Sequence, residues 1–239
     1  MRYLMTVTYD GQNFNGFQKQ TNKNTIQDHL ESALKTILKQ DISCVGSGRT
    51  DAKVSAYIQP VHFDYNKAID TKKTLHSLNG ILPSDIRVLS IVETDIHARF
   101  SAKKKTYLYR MYTSNIDLPL QKHAFKISPN IDFRAMKKFL HLIKGTHDFI
   151  GFRASGSETE SSVRTIYKAK LIRRGINVDF VVTGNGFLYK MVRNIVGTML
   201  KIGGHKIDLS TIKSTLFTTY KCTATAKPDY LYLLNVKYK

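Results

Sequence analysis

The 239-residue chain is short of acids, short of cysteine and without long apolar runs, and each shortage removes a class of function. Only 18 Asp and Glu stand against 37 Lys and Arg, which disfavours a two-metal nuclease, because that chemistry needs several clustered carboxylates. Two cysteines, Cys44 and Cys222, are too few for a disulfide framework, and neither lies in a C-x-x-C or Cys/His pattern with zinc spacing. A reducing cytoplasm fits that usage. No apolar run approaches the length of a membrane span, and Met1 leads into strand-like sequence with no apolar leader, so a protein that is neither exported nor membrane-bound is expected. Walker A, G-x-G-x-x-G, H-E-x-x-H and G-x-S-x-G motifs are all missing, and the eight histidines show no triad or ligand spacing.

What remains is ordinary in its core and unusual in its charge. A hydrophobic content of 42% suits one large domain or two smaller ones, whereas a net charge of +19 favours a polyanionic partner, most commonly nucleic acid. Tyr3 to Tyr9 reads as a first strand ending at the turn signal Asp10-Gly11. Thr25-Ile26-Gln27-Asp28 has capping-box form, and Ile26, Leu30, Ala33, Leu34, Ile37 and Leu38 follow at helical spacing. Strands are expected over Ile42 to Val45, Val54 to Tyr65 and Ile86 to Glu93, with a helix from Thr71 to Leu82 closed by Pro83. Downstream, a helix over Phe133 to Ile143, a strand pair joined through Gly175, a helix over Phe187 to Ile202, a short helix over Leu209 to Phe217 and a strand over Tyr230 to Val236 complete an α+β pattern. Repeats and linkers are absent, so any division is a fold-level one, expected near Ala102 to Lys105 as halves 1–103 and 104–239.

Three stretches could carry chemistry. Gly46-Ser47-Gly48-Arg49-Thr50-Asp51-Ala52 follows a strand with two glycines and then presents a cation, a hydroxyl and a carboxylate. A carboxylate offered at a cleft has that form, and so has a surface turn capped by Thr50 or Asp51. Lys103 to Tyr112 is a basic run feeding a strand with Tyr107 and Tyr109 on one face, suited to stacking a base or to an ordinary core. Arg193 sits at the edge of an apolar helical stripe, the usual place of a snorkelling residue. The loop Gln12 to Lys23 adds Phe17 and Gln18, candidates for contact with a substrate base if the loop is not simply packed.

Read together, these stretches resemble the TruA family of tRNA pseudouridine synthases. Gly48-Arg49-Thr50-Asp51-Ala52, Lys105-Thr106-Tyr107-Leu108-Tyr109 and Met191-Val192-Arg193-Asn194-Ile195-Val196-Gly197 carry the resemblance. Gly16-Phe17-Gln18-Lys19-Gln20, Leu82-Pro83-Ser84-Asp85-Ile86 and His97-Ala98-Arg99-Phe100-Ser101-Ala102 follow it in the same order. The resemblance implies a pseudouridine synthase fold of two similar halves, mostly antiparallel sheets flanked by helices around a basic cleft. It implies isomerisation of uridine to pseudouridine in the tRNA anticodon stem-loop at positions 38, 39 and 40, no cofactor, no required metal, and a homodimer. By it, Asp51 is the catalytic carboxylate, Tyr107 stacks on the target uracil, Arg193 pairs with the aspartate, and Arg49 displaces the target nucleotide. This sequence departs from the family pattern at Lys53, Ser55, Phe17 and Tyr230, where glycine, histidine, tryptophan and glycine are usual. A divergent paralogue acting on another RNA, or a non-catalytic RNA binder on the same fold, is the alternative those departures leave open.

Overall fold

The computed structural model describes residues 1–21, 23–156 and 160–239; Asn22, inside the loop Gln12 to Lys23, lies outside the described residues. The chain divides into two compact units, one made of Met1–Lys103 with Tyr232–Lys239, the other of Lys104–Leu231. The final strand, which the sequence reading grouped with residues 104–231, therefore returns to the first unit. The architecture is α+β with mostly antiparallel pairing.

In unit 1, β1 (Arg2–Tyr9) alternates strictly, with Tyr3, Met5, Val7 and Tyr9 buried. It lies between β4 (Ile86–Glu93) and β3 (Ser55–Asp64), antiparallel to both. The other edge of β3 is shared. Tyr232 and Leu233 of β10 (Leu231–Lys237) run parallel to Ser55 and Ala56, while β2 (Cys44–Gly46) pairs antiparallel with Val61 to Phe63. Helix α1 (Ile26–Leu38) begins with the expected capping box, Thr25 accepting from the Asp28 amide and Asp28 from the Thr25 amide, which contributes about 1 kcal/mol to the helix. With α2 (Thr71–Ile81), which Asp70 caps, it contributes Leu30, Leu34 and Leu78 to a core that also holds Met5, Val7, Val61 and Phe63.

Unit 2 is built on the antiparallel order β5 (Lys104–Thr113), β9 (Asn177–Gly184), β8 (Val163–Arg174) and β7 (Gly145–Asp148), with β6 (Phe125–Ile127) parallel to β5. Arg174 faces Asn177, so the β8–β9 hairpin turns on two residues, and Gly175 supplies the positive φ (+60°) such a turn needs. Helix α3 (Phe133–Leu142) packs on α4 (Met191–Gly203). The apolar pattern predicts α4 from Phe187, but the helix starts four residues later: Lys190 adopts a left-handed conformation (φ +56°) and interrupts the helical path there. The last helix, α5 (Leu209–Thr215), stops two residues short of the expected Phe217. Among the described residues no helix is long and apolar enough to cross a membrane.

Candidate active site

The loop carrying Asp51 connects β2 to β3 and is fastened to β3 at its base. In the stretch of β3 between its pairings with β10 and β2, the Ser47 amide donates to the Pro60 carbonyl (2.8 Å), Ser47 Oγ donates to Gln59 Oε1 (2.7 Å), and Gln59 Nε2 donates to the Gly48 carbonyl (2.6 Å). Ser47 and Gln59 are both fully buried. Sequence reasoning missed Gln59; an amide in the middle of a strand was the one signal available, since such a group is buried only when both its ends are bonded.

At its tip the loop is held from the side by residues 9–17. Thr50 is buried, its hydroxyl 2.8 Å from the Tyr9 hydroxyl, and its carbonyl accepts from the Phe17 amide at 3.1 Å. The Lys53 amide donates to the Phe14 carbonyl (3.2 Å), and the Val54 amide closes a turn onto the Asp51 carbonyl (3.1 Å). Asp51 is half-buried at the start of that turn, between buried Thr50 and exposed Ala52. Asp51 does open a turn, as the surface-turn reading has it, but one whose neighbours are held by hydrogen bonds to the Tyr9, Phe14 and Phe17 segment.

Phe17 is almost wholly shielded from solvent. At 2% exposure its ring lies against Gly46, where a Cβ would come within 2.5 Å of it, so the ring occupies the space a side chain at 46 would need. Of the two readings of its loop, packing wins for Phe17, and its effect is to support the Asp51 loop from beneath. Gln18 is exposed and accepts a hydrogen bond from Arg49 Nη1 at 3.3 Å, so these two expected contact residues are neighbours on the surface of unit 1.

The two departures beside Asp51 have structural readings. Lys53 sits at φ +66°, a left-handed conformation in which glycine carries no penalty and lysine does. Ser55 is buried, accepting from the Gly11 amide (2.9 Å) and donating to Asp10 Oδ1 (3.2 Å), and so ties the end of β1 to the exit of the loop.

Tyr107 and Arg193 lie in unit 2. Tyr107 is 9% exposed, on β5 opposite Val182, its ring edge-on to Phe187 at 5.3 Å. Tyr109 takes the core role: it is fully buried against Phe125 and Tyr230, the latter standing where the family usually has glycine. Arg193, in the first turn of α4, is half-buried and clasped to the segment before β10, with its Nε donating to the Ala226 carbonyl (2.8 Å) and its carbonyl accepting from the Ala226 amide (3.1 Å). Next to it, Asn194 bridges the Phe152 carbonyl and the Thr225 hydroxyl. This is a fixed guanidinium, not a snorkelling one.

Comparison with known proteins decides what these parts belong to. The pattern describing the tRNA pseudouridine synthases matches residues 5–101 and 140–239. The chain belongs to that family. Proteins named tRNA pseudouridine synthase A resemble it end to end: that of Lactococcus lactis subsp. cremoris strain SK11 is 41% identical over all of this chain and 97% of its own length. Those of Anoxybacillus flavithermus and Streptococcus pneumoniae strain P1031 are 40% and 39% identical, covering 99% and 100% of this chain and 98% and 99% of their own. A distant likeness, at 14% identity and a TM-score of 0.35, links 83% of the chain to 53% of a chain in a solved H/ACA ribonucleoprotein bound to a substrate RNA. Asp51, Arg49 and Arg193 fall inside the family-matched segments; Tyr107 falls between them.

Proposed function

We propose that Asp51 is the carboxylate with which this chain, an isomerase, converts uridine to pseudouridine in tRNA. In that reaction the bond from N1 to C1′ breaks, the uracil turns, C5 bonds to C1′, and the hydrogen at C5 leaves as a proton while N1 gains one. The observation that carries the reading is the bracing around Asp51: buried Thr50 on one side and a closed turn on the other hold its backbone before any substrate arrives. A carboxylate so held is available for attack at C1′, attack at C6 or removal of the C2′ proton. Arg193, fixed by Ala226, supplies a counter-charge in this reading, Tyr107 stacks on the uracil, and Arg49 with Gln18 contacts the displaced nucleotide. Phe17 is left a supporting role. The substrate region is the anticodon stem-loop at positions 38, 39 and 40, the protein acts in the cytoplasm, and it works as a homodimer.

Tritium at C5 of uridine in bulk tRNA tests this directly. The wild type should release it, and Asp51→Asn should bind tRNA normally while releasing none. Conversion by Asp51→Asn removes the role given to Asp51; binding without release by the wild type identifies a non-catalytic RNA binder instead. Mapping the modified positions tests the anticodon assignment.

A further inference from the structure

Unit 1 also carries an exposed aromatic ring that the reading above does not use. Phe100 is 77% exposed, in a turn (residues 97–101) that leaves β4. An apolar side chain that open is often mobile, but this one has a fixed base. Its ring stacks on His97 with centroids 4.4 Å apart and planes 27° apart, and His97 in turn lies 4.4 Å from the buried ring of His62 on β3. His97 Nδ1 accepts from the amides of both Arg99 (3.2 Å) and Phe100 (3.1 Å), and the His97 carbonyl accepts from Ser101 (3.0 Å). The Ala98 amide donates to His62 Nδ1 (3.1 Å), and the Ala98 carbonyl accepts from the Tyr238 hydroxyl (2.9 Å). Phe100 thus stacks on His97, which packs at a tilt against buried His62, and most of the Phe100 ring is left exposed.

Charge collects around the same ring. The Arg99 guanidinium lies over the Phe100 ring, 5.8 Å from its centroid, and among the described residues it makes no ion pair or hydrogen bond. Partial desolvation, and then the charge of Arg49, lower the pKa of Arg99, in keeping with a site that gathers positive charge. Arg2, in the same unit, is by contrast paired with Asp64. An unneutralised guanidinium at a largely exposed aromatic ring matches one phosphate and one unstacked base of a nucleic-acid strand.

We propose that Phe100 is a stacking platform for an unpaired base of the bound RNA, with Arg99 gripping the adjoining backbone phosphate. The proposal rests on the reading of tRNA as substrate and adds a contact outside the Asp51 loop. Because the ring is already fixed, stacking requires no ordering of the protein.

Affinity of the full chain for a tRNA transcript, measured between 50 and 200 mM salt, tests it in wild type, Phe100→Leu, Phe100→Trp and Arg99→Gln. Phe100→Leu should weaken binding between about 5-fold and about 150-fold, as loss of one stacked base does, with the wild-type salt slope; Phe100→Trp should restore most of it. Arg99→Gln should weaken binding and lower the salt slope by about 1, one phosphate contact fewer. Thermal unfolding should be unchanged in all three, since both side chains are exposed. Binding by Phe100→Leu within twofold of wild type, an unchanged slope in Arg99→Gln, or a loss that tracks dissociation of subunits in sedimentation each overturns the platform. Absence of salt-dependent tRNA binding by the wild type overturns the tRNA reading itself and the platform with it.

Discussion

Replacing Lys53 by glycine should stabilise the protein, and the size of the gain follows from one dihedral angle. Lys53 holds φ +66° because its amide bonds the Phe14 carbonyl while the next amide closes the turn on Asp51. A left-handed conformation costs a residue with a Cβ about 1–2 kcal/mol, and glycine avoids it. Against that, glycine gives the unfolded chain more freedom, which returns about 0.4–1 kcal/mol. The net gain is about 1 kcal/mol, or roughly 2–4 °C in the unfolding transition of a chain this size. Lys53→Ala is the necessary control, since it removes the side chain and its contacts while retaining the strain. Calorimetry on all three proteins isolates the backbone effect as the difference between the glycine and alanine variants. If Lys53→Gly proves no more stable than Lys53→Ala, the turn is relaxed with lysine in place and the strain argument fails.

The neighbouring departure predicts the opposite sign: Ser55→Ala leaves the buried Gly11 amide without its acceptor and should cost about 1–3 kcal/mol, seen as a lower unfolding temperature with residual activity reduced in step. No change in unfolding would mean that Gly11 finds another acceptor. A pH dependence should come from His62, whose pKa is lowered by burial first and then by the charges of Arg2 and His97, with Asp64 and the Val45 backbone pulling the other way. The unfolded chain takes up a proton near pH 6.5 that the folded chain resists, so stability is complete above that value and declines as pH falls through it. The unfolding temperature should therefore be lower at pH 5.5 than at 7.5, and His62→Gln should flatten the difference; an equally steep fall in that variant assigns the effect elsewhere.

Local chemistry explains most of what was legible in the sequence. The capping box at Thr25, the alternation of β1 and the hairpin glycine at 175 each act within a few residues, and each appears where the pattern puts it. What was hidden depends on contacts distant in sequence. Phe17 looks like a possible base contact until Gly46 is seen to leave the space its ring fills. Gln59 acquires its meaning only when β2 and β3 pair and bring Ser47 and Gly48 to it. The late start of α4 was masked because apolar spacing continues unbroken from Phe187, while the interruption is a backbone angle at Lys190 to which periodicity is blind. Arg193 was indistinguishable from a solvated arginine because its clasp, Ala226, lies beyond the end of its helix.

The return of Tyr232–Lys239 to the first unit sets an order on how the chain can be made. During synthesis the strand that carries Ser55 and Ala56 emerges early, yet the neighbour that pairs with those two residues is translated only after all of Lys104–Leu231. Until then the backbone at the exit of the Asp51 loop faces an unfilled sheet edge, and nascent or truncated chains lacking β10 expose it to whatever strand is nearby. Completion of the loop's footing thus waits on a segment translated well after the loop itself.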